Sequence, residues 1–168
     1  MFNSHDFLEL EAKGWVEKIV TPDSLEAFAK KNAKTKQLSL SLLPIDKIAT
    51  MENGEKYLKC YLINNSDTTS IISRADATIS GLNSEVRINN KWVSFQTDRG
   101  STCGNSYWKQ KLIEGYSLYI NFEWQYSKGV KVPFRLSFSH DGKLIRSNEI
   151  QVRIPKEAYS YVMPKSKI

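Results

Sequence analysis

Between Tyr116 and Ile154 apolar and polar residues alternate with period two. Leu118, Ile120, Phe122, Trp124 and Tyr126 share one parity, with Tyr119, Asn121, Glu123 and Gln125 between them. Such alternation predicts a half-buried strand. After Lys128-Gly129 the pattern repeats in Val130, Val132, Phe134, Leu136 and Phe138, which leaves Lys131, Pro133, Arg135, Ser137 and Ser139 outward. Asp141-Gly142 predicts a hairpin turn, because both residues tolerate positive φ. The return arm ends in Ile150, Val152 and Ile154. Pro133 lacks an amide hydrogen and belongs on an edge strand, at a bulge, or where no ladder bond is needed.

The turn also predicts a register. A two-residue turn at Asp141-Gly142 pairs Phe138 with Ile145. Uninterrupted pairing would then set Glu149 opposite Phe134 and bury an unpaired carboxylate, which is too costly. One extra residue restores the parity, so a β-bulge is expected within residues 146–148. Beyond it Phe134 pairs with Ile150 and Val132 with Val152. On the outer face Arg135 meets Glu149, and Lys131 stands opposite Arg153.

Elsewhere the pattern is shorter. Residues 1–36 read as a helical appendage. Ser4 caps a first helix carrying Leu8, Ala12, Trp15 and Ile19, with a hairpin at Lys13-Gly14 as the competing reading. Thr21 and Pro22 mark a second helix start, followed by the stripe Leu25, Phe28 and Ala29, with Lys30, Lys31 and Lys34 at its negative end. The β region begins at Gln37. Leu38, Leu40 and Leu42 alternate with polar residues, Pro44 ends that strand, and residues 45–56 connect through Asn53-Gly54. KYLKCYLINN is the next strand. In TSIISRADATIS, Ile71, Ala75, Ala77 and Ile79 share one face, and Arg74, Asp76 and Thr78 the other. EVRI-NN-KWVSF predicts a hairpin that pairs Val86 with Val93 and Arg87 with Trp92. Residues 97–106 form a polar loop, and a strand through Trp108, Lys109 and Leu112 precedes the turn Glu114-Gly115. About nine strands with turns every ~8–12 residues predict a sandwich. The domain reading is residues 1–36, a β-sandwich over 37–155, and a tail over 156–168.

PFRLSF followed by SNEIQVRI resembles the final strands of bacterial immunoglobulin-like sandwiches, and YLINNSD is similar in character. The resemblance spans roughly residues 37–155. It implies a mostly β, immunoglobulin-like antiparallel sandwich with a short N-terminal helical segment, and a binding or adhesive role without catalytic residues.

At 168 residues, 40% hydrophobic and 25% charged, the chain is long enough to bury a core without disulfides or metal. No apolar run approaches the ~18 residues of a membrane-spanning helix. The first residues lack the charge and apolar pattern of a signal peptide, so the expected compartment is the cytoplasm if the chain is complete, and the periplasm or exterior if a signal peptide has been removed. Two cysteines, Cys60 and Cys103, are read as free thiols. His5 and His140 are far apart and no ligand-spaced cluster accompanies them, so no metal or cofactor is expected.

Charge is the most informative quantity. The net +6 lies wholly in residues 128–168, which hold nine basic and three acidic residues. Such an excess is a solvated face or the footprint of an anionic partner. No nucleic-acid motif accompanies it, so a protein with an acidic surface is the expected partner. The expected contact residues are Lys131, Arg153 and Arg135 on the strands, Arg99 and Asn105 in the loop, and the aromatics Trp92, Trp108 and Tyr119. The function expected is a non-enzymatic protein-binding module of an inhibitor or immunity type. The alternatives are an envelope or surface module for a glycan or anionic ligand, and an enzyme using Cys103.

Overall fold

A computed structural model describes residues 10–33 and 40–162. Ser4, His5, Leu8, Lys34 and Leu38 lie outside them, as do the first residues of the expected β region and the last six of the tail. Along the chain run β1 (Gly14–Val20), α1 (Ala27–Ala33), β2 (Leu40–Thr50) and β3 (Lys56–Asn64). Then come β4 (Ser70–Ala75), β5 (Thr78–Ile79), β6 (Leu82–Ile88), β7 (Lys91–Gln96) and β8 (Tyr107–Leu112). They are followed by β9 (Ser117–Glu123), β10 (Val130–His140), β11 (Lys143–Arg146), β12 (Ile150–Ile154) and α2 (Lys156–Val162).

Among the described residues the strands make two antiparallel sheets. One holds seven strands in the order β2-β3-β9-β1-β5-β4-β8; the other holds five, with β11-β10-β6-β7 in order and β12 also on β10. The alternating stretch after Tyr116 is therefore divided. Its first strand, β9, lies in the larger sheet, and β10, β11 and β12 lie in the smaller. Their apolar faces meet in one core of Leu118, Ile120 and Phe122 against Val132, Phe134, Leu136 and Phe138. The Phe134 ring lies 5.0 Å from Trp124 and 6.4 Å from Phe122. Each such buried side chain contributes about 1.5–3 kcal/mol by leaving water. This face-to-face arrangement is sandwich-like, and it fixes the outer face of the smaller sheet as a rigid, solvent-facing surface.

The predicted hairpins form as turn chemistry dictates. Asn89 and Asn90 both take positive φ (51° and 60°), and Val86 pairs with Val93 and Arg87 with Trp92. Asp141 and Gly142 do the same (48° and 71°), and Phe138 pairs with Ile145. Beyond Arg146 the register moves by one, so that Phe134 meets Ile150 and Val132 meets Val152. The bulge lies where parity requires it. Ser147 fills it, accepting from Leu136 N at 2.8 Å through Oγ and donating its own N–H to Leu136 O at 2.9 Å. The β6 register on β10 begins at Phe134, so Pro133 stands where that pairing ends.

Several expectations are corrected. Ala12, Trp15 and Ile19 do not share a helix. Gly14–Val20 is β1, between β9 and β5 in the larger sheet, and no hairpin turns at Gly14. A Cβ on Gly14 would meet Leu82 Cδ2 at 2.6 Å and Ile79 Cγ2 at 3.0 Å, so any side chain there would force the Leu82 side chain to shift. Thr21 and Pro22 open a short 3-10 turn, Pro22–Ser24, and the helix starts at Ala27. Leu25 and Ala29 pack with Val20, Leu43, Tyr61 and Ile63 on the outer side of the larger sheet, whereas Phe28 is exposed. Pro44 does not end its strand. It sits in edge strand β2, where the register shifts between Pro44 and Ile48, a position that tolerates the missing donor. Residues 71–79 do not keep one face. Asp76, at φ 50°, turns the chain between β4 and β5, and within β4 Ile71 is exposed whereas Arg74 is buried.

Candidate partner-binding face

On the outer face of the smaller sheet, Trp92 sits at the start of β7, opposite Arg87 across the Asn89-Asn90 turn. Strand β10 lies on the far side of β6 and brings Arg135 over the same ring. The Arg135 guanidinium is 4.0 Å from the Trp92 ring centre and that of Arg87 is 5.5 Å. Guanidinium groups stack on indole because the flat cation meets the negative face of the ring. Arg135 Nε also donates to Glu85 Oε2 at 2.5 Å, and Arg146 Nε approaches the same oxygen at 3.8 Å. Glu149 Oε1 accepts from Arg87 Nη1 at 3.3 Å.

The expected Arg135–Glu149 pair is thus replaced by Arg135–Glu85 and Arg87–Glu149. The reason is that β10 has two neighbours. Arg135 stands directly opposite Glu85 on β6, while Glu149 lies in the irregular stretch before β12. Sequence reading missed Glu85, Arg87 and Arg146 as members of this face.

Lys131 and Arg153 are directly opposed in the β10–β12 register, as predicted. Both are exposed. Arg153 Nη1 donates to Gly129 O at 2.9 Å. Lys131 lies four residues from Arg135 on the same strand and face, about 13 Å away at strand rise. The face therefore runs from the Trp92 stack to the Lys131–Arg153 pair, and Arg87, Arg135, Arg146, Lys131 and Arg153 outnumber Glu85 and Glu149 along it.

The remaining expected residues are not brought to this face. Arg99 and Asn105 are exposed in loop 97–106. That loop is tied down: Asp98 accepts from Gly81 N at 2.6 Å and Gly100 N at 2.8 Å, and Tyr107 OH donates to Ser101 O at 3.0 Å. Trp108 is on edge strand β8 of the larger sheet. Its ring lies 4.7 Å from the buried Arg74 guanidinium, and its Nε1 donates to Asp76 O at 2.9 Å. Burial lowers the pKa of Arg74, whose Nε donates to Thr78 O at 2.9 Å. Tyr119 stands on the outer face of the larger sheet, 4.8 Å from the Tyr61 ring and beneath Lys59 and Lys18 at 5.2 and 5.6 Å. Burial, then Glu17 and Glu26, raise its pKa.

Cys60 and Cys103 are free thiols. Cys60 is buried, which pushes its pKa well up, and its Sγ donates to Tyr61 O at 3.6 Å. Cys103 is exposed in the loop, with its backbone N–H on Ser101 Oγ at 3.2 Å. His140 ends β10. Its ring stacks on Phe138 at 5.8 Å and its Nε2 lies 3.3 Å from Asp141 Oδ2. Among the described residues no His, Cys, Asp and Glu group could hold a metal ion, and no helix is long and apolar enough to cross a membrane. No family model, curated protein or solved structure matches this chain.

Proposed function

We propose that the chain is an immunoglobulin-like sandwich acting as a non-enzymatic protein-binding module, of the inhibitor or immunity type, that docks an acidic protein on the outer face of its smaller sheet. The observation that carries this reading is the cross-strand opposition of Lys131 and Arg153. Like charges directly opposed weaken a sheet by about 0.2–1 kcal/mol, so the pair works against stability. An acidic surface across the two would remove that cost and speed encounter. Glu85 and Glu149 do not serve this purpose, because Arg135, Arg146 and Arg87 engage them. The Trp92 stack at the other end adds a flat, half-buried aromatic of the kind that anchors interfaces.

The test is capture at low salt from extract of the source cells, with the intact chain and the Lys131→Thr, Arg153→Thr variant as parallel baits. An acidic protein held by the first and lost by the second is the expected result. Equal capture by both baits, or none by either, removes the reading.

A further inference from the structure

A cleft of about 560 Å³ opens where the turn after β9 meets the junction of β12 and α2. Lys56, Lys128 and Lys156 line it together with one carboxylate, Glu157, and Tyr126 and Pro155 form walls. The backbone forces this gathering. Gly129 has φ +112°, and a Cβ there would stand 2.1 Å from the Ile154 carbonyl oxygen and 3.0 Å from Pro155 Cα. Only glycine lets the turn press so closely on the Ile154-Pro155 peptide. That approach sets Lys128, one residue before Gly129, beside Lys156, one residue after Pro155. Arg153 holds the turn through its bond to Gly129 O. Lys56 arrives from the start of β3 and donates Nζ to Ser127 Oγ at 2.8 Å.

Three ammonium groups from three separate segments thus share one cleft. Among the described residues none of the three forms an ion pair. Ammonium groups so gathered repel one another and focus a positive field on whatever enters. The half-buried Tyr126 ring and Pro155 offer flat apolar walls for side-chain methylenes. The cleft is open to solvent along one side, so it suits a length of chain better than an enclosed small molecule. It also adjoins the Lys131–Arg153 pair, since Arg153 bonds to the carbonyl of Gly129 in its lining.

Resting on the binding reading above, we infer that this cleft takes an acidic segment of the protein partner, with Asp or Glu carboxylates set among Lys56, Lys128 and Lys156. Lysine point charges suit separate carboxylates. The arginine fork that matches a phosphate with two bonds is absent from the lining, and neighbouring Arg153 is engaged by a carbonyl.

The probe is fluorescein-labelled hexaglutamate, titrated at low salt and read by anisotropy. The intact chain should give saturable binding. Lys128→Gln, Lys156→Gln, at two exposed positions, should leave the melting temperature in place and weaken binding by about tenfold or more. Lys131→Thr, which keeps the Arg153–Gly129 bond, should weaken it by about threefold or less. Equal affinity of parent and cleft variant overturns the inference. Tighter binding of pyrophosphate or of a hexathymidine strand than of hexaglutamate overturns the carboxylate assignment. If hexaglutamate does not bind, yet an acidic protein is still captured by the intact chain and lost by Lys131→Thr, Arg153→Thr, the cleft inference fails and the wider reading stands. If neither binds, both fall.

Discussion

The guanidinium of Arg135 lies flat over Trp92 at 4.0 Å while its Nε donates to Glu85 at 2.5 Å. One side chain from the middle strand of the smaller sheet thereby joins β10, β6 and β7 on their outer face. Lysine can reach either partner but cannot stack and fork at once. Arg135→Lys should cost about 1–2 kcal/mol in denaturant unfolding. A variant as stable as the parent would show that the stack adds nothing.

Phe134 is fully buried between the sheets against Trp124 and Phe122. Phe134→Ala should destabilise by about 3–5 kcal/mol, since it removes the ring and leaves a cavity. A loss below about 1 kcal/mol would mean that the core closes over the gap or was never sealed there.

Ser147 stands in for a missing ladder partner. Its hydroxyl accepts from the N–H of Leu136, a wholly buried residue, and donates to Asn148 O at 2.8 Å. Ser147→Ala leaves that N–H without its acceptor, so a loss of about 1–3 kcal/mol is expected. Ser147→Thr keeps the hydroxyl and should recover most of it. Equal loss in both variants would assign the effect to packing.

Removal of the opposed cations should separate stability from encounter. Lys131→Thr, Arg153→Thr is expected to preserve stability or raise it by a few tenths to about 1 kcal/mol. With the captured partner, association should slow at low salt and approach the parent rate as salt rises. Lower stability with unchanged association would make the basic stripe structural.

Tyr61 reports on the α1 side of the larger sheet. Burial first, then the Glu26 charge, push its phenol up to about 12. The folded state therefore holds this proton more tightly than the unfolded chain, whose tyrosines titrate near 10. The contribution to stability is complete below pH ~10 and is lost as pH rises from there toward ~12. Tyr61→Phe should flatten the alkaline fall in melting temperature over that window. An unchanged fall would place the cause elsewhere.

The parts of the fold legible in the sequence are those that local rules decide. Asn89-Asn90 and Asp141-Gly142 declare their turns because both residues must take positive φ. The bulge at Ser147 is legible because only one extra residue keeps Glu149 out of the core. Strand β1 was hidden for the converse reason. The bulge between Val16 and Lys18 breaks its alternation, so Ala12, Trp15 and Ile19 matched helical spacing by default. Pro44 and Asp76 misled because a proline on an edge strand and a turn without glycine both look like something else. The site was half legible. Lys131 opposite Arg153 follows from register, whereas Arg135 choosing Glu85 over Glu149 depends on which strand flanks β10, and no local pattern states that. The cleft lysines come from segments far apart in sequence, with Gly129 as the nearest thing to a clue.

Because β1 lies between β9 and β5, the larger sheet is closed by residues made early meeting residues made late. Trp15 bonds to Glu123 at 2.8 Å across 108 positions of chain. Until β9 has been synthesised, β1 has no neighbour on that side, and its apolar residues must wait in solvent or in the wrong place. Long-range closure of this kind is slow, since the chain loses the entropy of a large loop before the contacts repay it. The half-finished sheet would meanwhile expose two strand edges at its centre. A nascent chain of this topology is most open to misassembly just before its last third emerges.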